Sequence, residues 1–281
     1  MTEDVRFVTA GGLRFGYLES GSGPLVLLVH GFPDTPYSWD AARAALARAG
    51  YRAVAPFTRG YAPTEIPSDG KYDPDALGGD LLSLVHALGE RSAVIVGHDW
   101  GASAAYSAAA LAPSAVRLLV TIAIPHPASL VPTPRALWAV RHFFALGQRR
   151  AVKWVPDRDF AYVDELVRRW SPAWNPAPGE TAAVKAIFRD PASLDAALGY
   201  YRALRPWMPP SHRIKITVPT VCFAGDTDIL PTSAYERARS RFTGSYEVVE
   251  MPGGHFMHRE HPQVFIDHLL RVLRDRAGTA A

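Results

Sequence analysis

Two short stretches of alternating apolar and polar residues, 5–9 and 13–19, open the chain and are joined by Ala10-Gly11-Gly12. That pattern predicts a β-hairpin. After the turn Gly21-Ser22-Gly23-Pro24 comes Leu25-Val26-Leu27-Leu28-Val29, apolar at every position. Such a run predicts a strand covered on both faces, as in a parallel sheet. Helical spacing follows over 39–49 and stops at Gly50. Next come a strand at 52–55, a helix over about 73–88, a buried strand at 93–96, an alanine-rich helix at 102–111 and a strand at 116–124. The alternation predicts an α/β fold, a mostly parallel central sheet with helices on both faces. It breaks at Pro125-His126-Pro127. From there to about residue 212 the chain holds aromatics, helical patterns and prolines at 125, 127, 132, 134, 206, 209 and 210, with no convincing strand. The rhythm resumes with a strand at 220–224, a helix near 233–241, a strand at 246–249 and a closing helix over 262–275. The expected organisation is a core in two parts, 1–125 and 213–281, interrupted by a helical insertion at 126–212.

Composition narrows the function classes. The 281 residues are 48% hydrophobic and 20% charged, which fits a soluble globular protein and not a disordered one. Thirty basic residues against 27 acidic ones leave a charge of only +3, no footprint for nucleic acid. No apolar run reaches the length of a membrane span, so no stable insertion is expected. The segment Met1-Thr2-Glu3-Asp4-Val5 is acidic and does not read as a secretory signal. The single cysteine, Cys222, excludes disulfides within the chain and makes the cytoplasm the expected compartment. Between Val221 and Phe223 it reads as a buried strand residue without a catalytic role. A homodimer is compatible with the sequence.

The most informative segment is Gly97-His98-Asp99-Trp100-Gly101-Ala102, between the strand ending at Val96 and the alanine-rich helix. Glycines two residues before and two after Asp99 form the pattern of a nucleophile elbow. The turn brings strand and helix backbones close together, and the helix N-terminus favours negative charge there. A carboxylate is already ionised at neutral pH and needs no base to activate it. It suits attack on saturated carbon, giving an alkyl ester. Attack on an ordinary ester would give a mixed anhydride, so esterase and lipase chemistry is set aside. Taken alone, the segment reads equally well as a helix cap with Asp99 at the N-cap; the motifs that follow in order favour the elbow.

His30-Gly31-Phe32-Pro33 follows the strand 25–29 and reads as an oxyanion loop, with the backbone N–H groups of Phe32 and Trp100 as donors. The peptide before Pro33 is a candidate cis bond. The base candidate is His255 in Met251-Pro252-Gly253-Gly254-His255-Phe256, and the acid candidate is Asp228 in Ala224-Gly225-Asp226-Thr227-Asp228. Asp226 competes with it, but distance from the strand end favours Asp228, leaving Asp226 to shape the turn. The order nucleophile, acid, base is that of the α/β-hydrolase fold. His30 and His98 are read as supports of the two turns, and His86 and His268 as helix surface or packing residues. His255, His258 and His261 tempt a metal reading, but Pro262 ends the pattern and no carboxylate cluster supports it. No metal or organic cofactor is expected.

With these motifs and Arg59-Gly60-Tyr61, the sequence resembles the α/β-hydrolases of the epoxide hydrolase and haloalkane dehalogenase group, the epoxide hydrolases most. The resemblance spans nearly the whole chain and implies that the insertion is a helical cap over the site. It further implies two cap tyrosines that hydrogen-bond an epoxide oxygen. Leu198-Gly199-Tyr200-Tyr201-Arg202 resembles the second tyrosine motif and matches it at Tyr201. The first tyrosine falls at Val140, so the sequence departs from the family pattern there. His142 or Arg141 is a candidate replacement donor, or Tyr162 from elsewhere; otherwise Tyr201 acts alone. Phe143 and Trp138 join His142 and Tyr162 as candidate substrate-binding residues.

The resulting expectation is hydrolysis of a small apolar epoxide to a vicinal diol. Asp99 attacks carbon, Tyr201 donates to the ring oxygen, and water activated by His255 with Asp228 hydrolyses the ester. The first alternative is dehalogenation with the same aspartate. The Trp100 indole would hold the halide, with Trp138 in place of the asparagine that the family often has where Phe32 stands. Haloacetate enzymes resemble this chain less, because they carry arginines after the nucleophile, where this chain has Trp100-Gly101-Ala102-Ser103. The second alternative is a hydrolase-like scaffold that binds a small ligand without turning it over. The stretch 135–153 mixes Trp138, Phe143, Phe144 and Leu146 with arginines. A cap helix with apolar residues toward the pocket and charges toward water explains it better than membrane association. The stretch 158–170 reads as a solvated helical face.

Overall fold

The computed structural model describes residues 5–204 and 208–276. The expectations at residues 1–4 and Pro206 lie outside them. The chain opens with β1 (Arg6–Ala10) and β2 (Leu13–Ser20), the antiparallel hairpin. Next come β3 (Leu25–Val29), α1 (Asp40–Arg48), β4 (Arg52–Pro56), α2 (Pro74–Ala87), β5 (Ala93–His98), α3 (Trp100–Leu111) and β6 (Val116–Ile122). Six helices then run without a strand: α4 (Pro134–Ala139), α5 (His142–Leu146), α6 (Ala151–Trp154), α7 (Asp157–Trp170), α8 (Ala182–Phe188) and α9 (Pro191–Ala203). The α/β pattern closes with β7 (Thr220–Gly225), α10 (Thr232–Ala238), β8 (Tyr246–Met251), α11 (Met257–Glu260) and α12 (Pro262–Arg276).

The eight strands form one sheet in the order β1-β2-β4-β3-β5-β6-β7-β8. β1, β2 and β4 pair antiparallel, and every pair from β4 to β8 is parallel. β3 shows why an unbroken apolar run is needed. Leu25, Leu27 and Val29 belong to the core under α2 and α3, while Val26 and Leu28 belong to the core under α1 and α12. Each fully buried Leu or Val contributes about 1.5–3 kcal/mol. Alanines on α3 let that helix lie close to the sheet, and ten of its residues are buried. α2 starts where Pro74 occupies its first turn and the Asp73 carboxylate accepts from the N–H groups of Asp75 and Ala76. Among the described residues, no helix is long and apolar enough to cross a membrane.

Two of the boundaries that differ from the sequence pattern matter for the site. α3 begins at Trp100, directly after Asp99, instead of at Ala102. β6 ends at Ile122, because Ala123 takes a positive φ of 67° and turns the chain out of the sheet.

Candidate active site

Asp99 stands between β5 and α3 at φ 52°, ψ −118°, a conformation that costs free energy for a residue with a side chain. It persists because the backbone around it is fixed. A Cβ on Gly97 would strike the Gly101 carbonyl, and one on Gly101 would strike the carbonyl of Val29, so only glycine fits either position. The Asp99 side chain therefore projects from the C-terminal end of the parallel strands, where open α/β sheets place their sites.

The Phe32 N–H donates to Asp99 Oδ1 at 2.8 Å. Phe32 is held there by a rigid loop. The His30 Nδ1–H donates to the Gly31 carbonyl at 2.9 Å, and His30 Nε2 accepts the Thr58 N–H at 3.1 Å. Burial lowers the His30 pKa to about 4, which keeps the ring neutral for this double role. The Phe32–Pro33 peptide is cis. Trp100 is the first residue of α3, so its N–H has no acceptor within the helix.

His255 lies on the other side of Asp99. Its Nε2 is 3.5 Å from Asp99 Oδ2, and its Nδ1 is 3.5 Å from Asp228 Oδ1. Neither ring nitrogen has a hydrogen-bond partner at these distances among the described residues; such contacts are commonly long before a substrate tightens a site. Burial lowers the His255 pKa, but the anions Asp228 and Asp99 on either side raise it to about 10. Asp228 is buried and also accepts the Ile229 N–H at 2.6 Å. Asp226 faces elsewhere: its Oδ1 accepts the Gly253 N–H at 2.9 Å and shapes the loop carrying His255.

Asp99, Trp100 and His255 line a cavity of about 820 Å³ whose walls include Val140, His142 and Phe143. Tyr201 on α9 packs edge-on against Trp100, with ring centres 5.3 Å apart, and against Phe32 at 5.2 Å. Its hydroxyl is buried without a hydrogen-bond partner among the described residues, and burial raises its pKa well above 10. The His142 ring lies 5.9 Å from the Tyr201 ring, with Nδ1 likewise unpartnered, and burial lowers its pKa to about 3. Burial thus keeps both groups in their neutral forms, Tyr201 close enough to feel the charge of Asp99 and His142 on the cavity wall.

A family model described as alpha/beta hydrolase fold matches residues 24–262. The chain belongs to this family. Across its length it is also similar to proteins named epoxide hydrolases. One from Caballeronia sordidicola is 31% identical and spans 95% of this chain and 92% of that protein. The crystal structure of an epoxide hydrolase from Vigna radiata has a TM-score of 0.80 at 25% identity, covering 98% of this chain and 99% of that one. An epoxide hydrolase from Bacillus megaterium, solved with an inhibitor, has a TM-score of 0.85 over 95% of this chain and 99% of its own; at 22% identity it speaks to the fold alone. The chain is a member of the epoxide hydrolase group of α/β-hydrolases.

Within this α/β-hydrolase, the candidates Trp138 and Tyr162, like Phe32 and Tyr201, are not among the residues that line the cavity. Trp138 is 68% exposed and lies under the Arg141 guanidinium, 4.1 Å from its ring centre. Tyr162 packs edge-on against Trp154 at 4.9 Å, and its hydroxyl is near enough to Tyr201 to add to the rise in that group's pKa. The 158–170 stretch is only half solvated, since Phe160, Val163, Leu166, Val167 and Trp170 of α7 are buried.

That buried face supplies contacts the sequence did not announce. The Trp170 carbonyl accepts the His255 N–H at 2.9 Å, and the Ser171 hydroxyl accepts the Phe256 N–H at 3.1 Å. The insertion thus clamps the loop that carries His255. From below, the His98 Nε2–H donates to the His255 carbonyl at 2.9 Å. Asp34, His98 and His258 bring ligand-type atoms within 4.8 Å of one another, but the Arg259 guanidinium already pairs with Asp34 at 3.1 Å.

The two flanking anions make a direct prediction about His255. Asp99→Asn removes one of them, so the imidazole should titrate at a lower pH than in the wild type, read by ¹⁵N NMR of the ring nitrogens. An unchanged titration would mean that Asp99 does not stabilise the imidazolium.

Proposed function

We propose that the protein hydrolyses small apolar epoxides to vicinal diols through an alkyl ester on Asp99. The observation that carries this reading is the alignment of Phe32, Asp99, His255 and Asp228, with Asp99 and His255 on the wall of the cavity. In this reading residues 126–212 are a helical cap on a core formed by 1–125 and 213–281.

Asp99 Oδ1 is engaged by the Phe32 N–H, so Oδ2 is the attacking atom. Its lone pair forms the bond to an epoxide carbon while the ring C–O bond breaks toward oxygen. Tyr201 gives that oxygen its proton, with His142 as second donor in place of the missing cap tyrosine. Alkylation removes the negative charge of Asp99 and with it part of what keeps His255 protonated. The imidazolium then returns a proton to Tyr201 through water in the cavity and becomes a neutral base, oriented by Asp228. It takes a proton from water, and the hydroxide attacks the ester carbonyl. The N–H groups of Phe32 and Trp100 hold the oxyanion on Oδ1. Collapse releases the diol, and the net proton freed by ester hydrolysis recharges His255. No cofactor enters the balance.

A single turnover in H₂¹⁸O, with enzyme in excess, tests the pathway. The diol should leave with the unlabelled Oδ2 atom, and ¹⁸O should appear in Asp99. Label in the diol during the first turnover would mean direct attack by water and would overturn the ester pathway. Haloalkane dehalogenation is the second reading, because Trp100, whose indole would face a leaving halide, lines the cavity.

A further inference from the structure

A basic and aromatic surface at the start of the insertion has no part in the chemistry above. No acidic residue occurs between Asp99 and Asp157, while 126–156 carries Arg135, Arg141, Arg149, Arg150 and Lys153. The expectation that apolar residues of 135–153 turn to the pocket holds only in part, and five large apolar residues of 126–156 are exposed: Leu130, Val131, Leu137, Trp138 and Phe144, the last at 69%. Arg149, Arg150 and Lys153 are exposed beside them in sequence. Scattered apolar residues on a surface are ordinary, but five within fifteen positions of a stretch without anions are not. Leu130 is also part of the cavity wall, together with Val140 and Phe143, so this surface borders the way in to Asp99.

We propose that this face docks the protein on an anionic phospholipid surface and takes apolar epoxides from the lipid. The mixture of side chains selects the occupant. Trp and Phe suit the boundary between headgroups and acyl chains, and Lys and Arg are attracted by anionic headgroups. A second copy of the chain is a poor match, because a two-fold contact would set these cations against the same cations. α4 and α5 have six and five residues, so they lie on a membrane and do not cross it. Docking rests on this surface alone, whereas delivery of an epoxide rests on the hydrolase reading.

Co-sedimentation with POPC vesicles, with and without POPG, tests docking. Binding should be at least several-fold stronger with POPG and should fall as salt is raised. The double variants Leu137→Ser/Phe144→Ser and Arg149→Glu/Arg150→Glu should each lose this binding. Their circular dichroism and their turnover of a water-soluble epoxide should stay at the wild-type level. Turnover of an epoxide dissolved in POPG vesicles should fall several-fold in both. Equal binding to the two kinds of vesicle, or unchanged binding by both variants, overturns the proposal. So does a dimer in sedimentation velocity that the variants dissolve without any vesicle binding, which would assign the face to a second copy. Asp99→Asn should bind vesicles like the wild type. If docking holds while the wild type turns over no epoxide, the hydrolase reading fails and the docking surface stands.

Discussion

His255→Gln protein offered a small epoxide should gain the full mass of that epoxide and then stop. The first chemical step uses Asp99, which the substitution leaves in place with the Phe32 N–H on Oδ1. The second step needs a proton acceptor 3.5 Å from Asp99 Oδ2, and glutamine cannot serve. Turnover should fall by about 10⁴-fold, the scale seen when one member of a catalytic triad is removed. The ester should then persist long enough for intact-protein mass spectrometry. Asp99→Ala, which lacks the acceptor of the alkyl group, should show neither turnover nor adduct. A gain equal to an alkyl group without halogen, seen with haloalkanes and not with epoxides, would make the enzyme a dehalogenase. An adduct that survives in Asp99→Ala would place the nucleophile elsewhere and sink the mechanism.

The parts of this site that are legible in the sequence are those set by local backbone rules. The elbow requires small residues at Gly97 and Gly101 because carbonyls occupy the space of a Cβ, and that requirement is written in the sequence as spacing. β3 must be apolar throughout because it has a core on each face. The choice of Asp228 over Asp226 also follows from distance along the chain after β7, and the carboxylate facing His255 is that of Asp228. The insertion is different. Its helices are short, α5 having five residues, and a pattern of so few turns does not reveal which side faces inward. Phe143 lines the cavity while its neighbour Phe144 is exposed, and Trp138 faces water. The clamp of Trp170 on the His255 N–H joins positions 85 residues apart through a main-chain carbonyl, which has no signature in residue identity. The gap at the first cap tyrosine was visible as Val140, and the structure adds that His142, two positions on, shares the cavity wall with it.

Tyr201→Phe should slow alkylation by an epoxide about 10²- to 10⁴-fold, the usual contribution of a positioned acid. The ring oxygen leaves as an alkoxide, a poor leaving group unless it gains a proton as the C–O bond breaks. Burial holds the Tyr201 hydroxyl in its protonated form; the neighbouring Trp100 indole N–H is itself a donor and leaves the phenol hydrogen free to donate. Phenylalanine keeps the ring packing against Phe32 and Trp100, which confines the change to the lost O–H. Single-turnover kinetics should therefore show slower ester formation with unchanged ester hydrolysis. His142→Phe should show a smaller loss of the same kind. The double variant should lose more than either, because a remaining donor no longer compensates. A haloalkane provides the decisive contrast, since halide departs without a proton. If Tyr201→Phe slows displacement from a haloalkane as much as ring opening, the hydroxyl shapes the cavity and is not the acid. If it slows neither step, proton donation belongs to another group and His142 becomes the first residue to test.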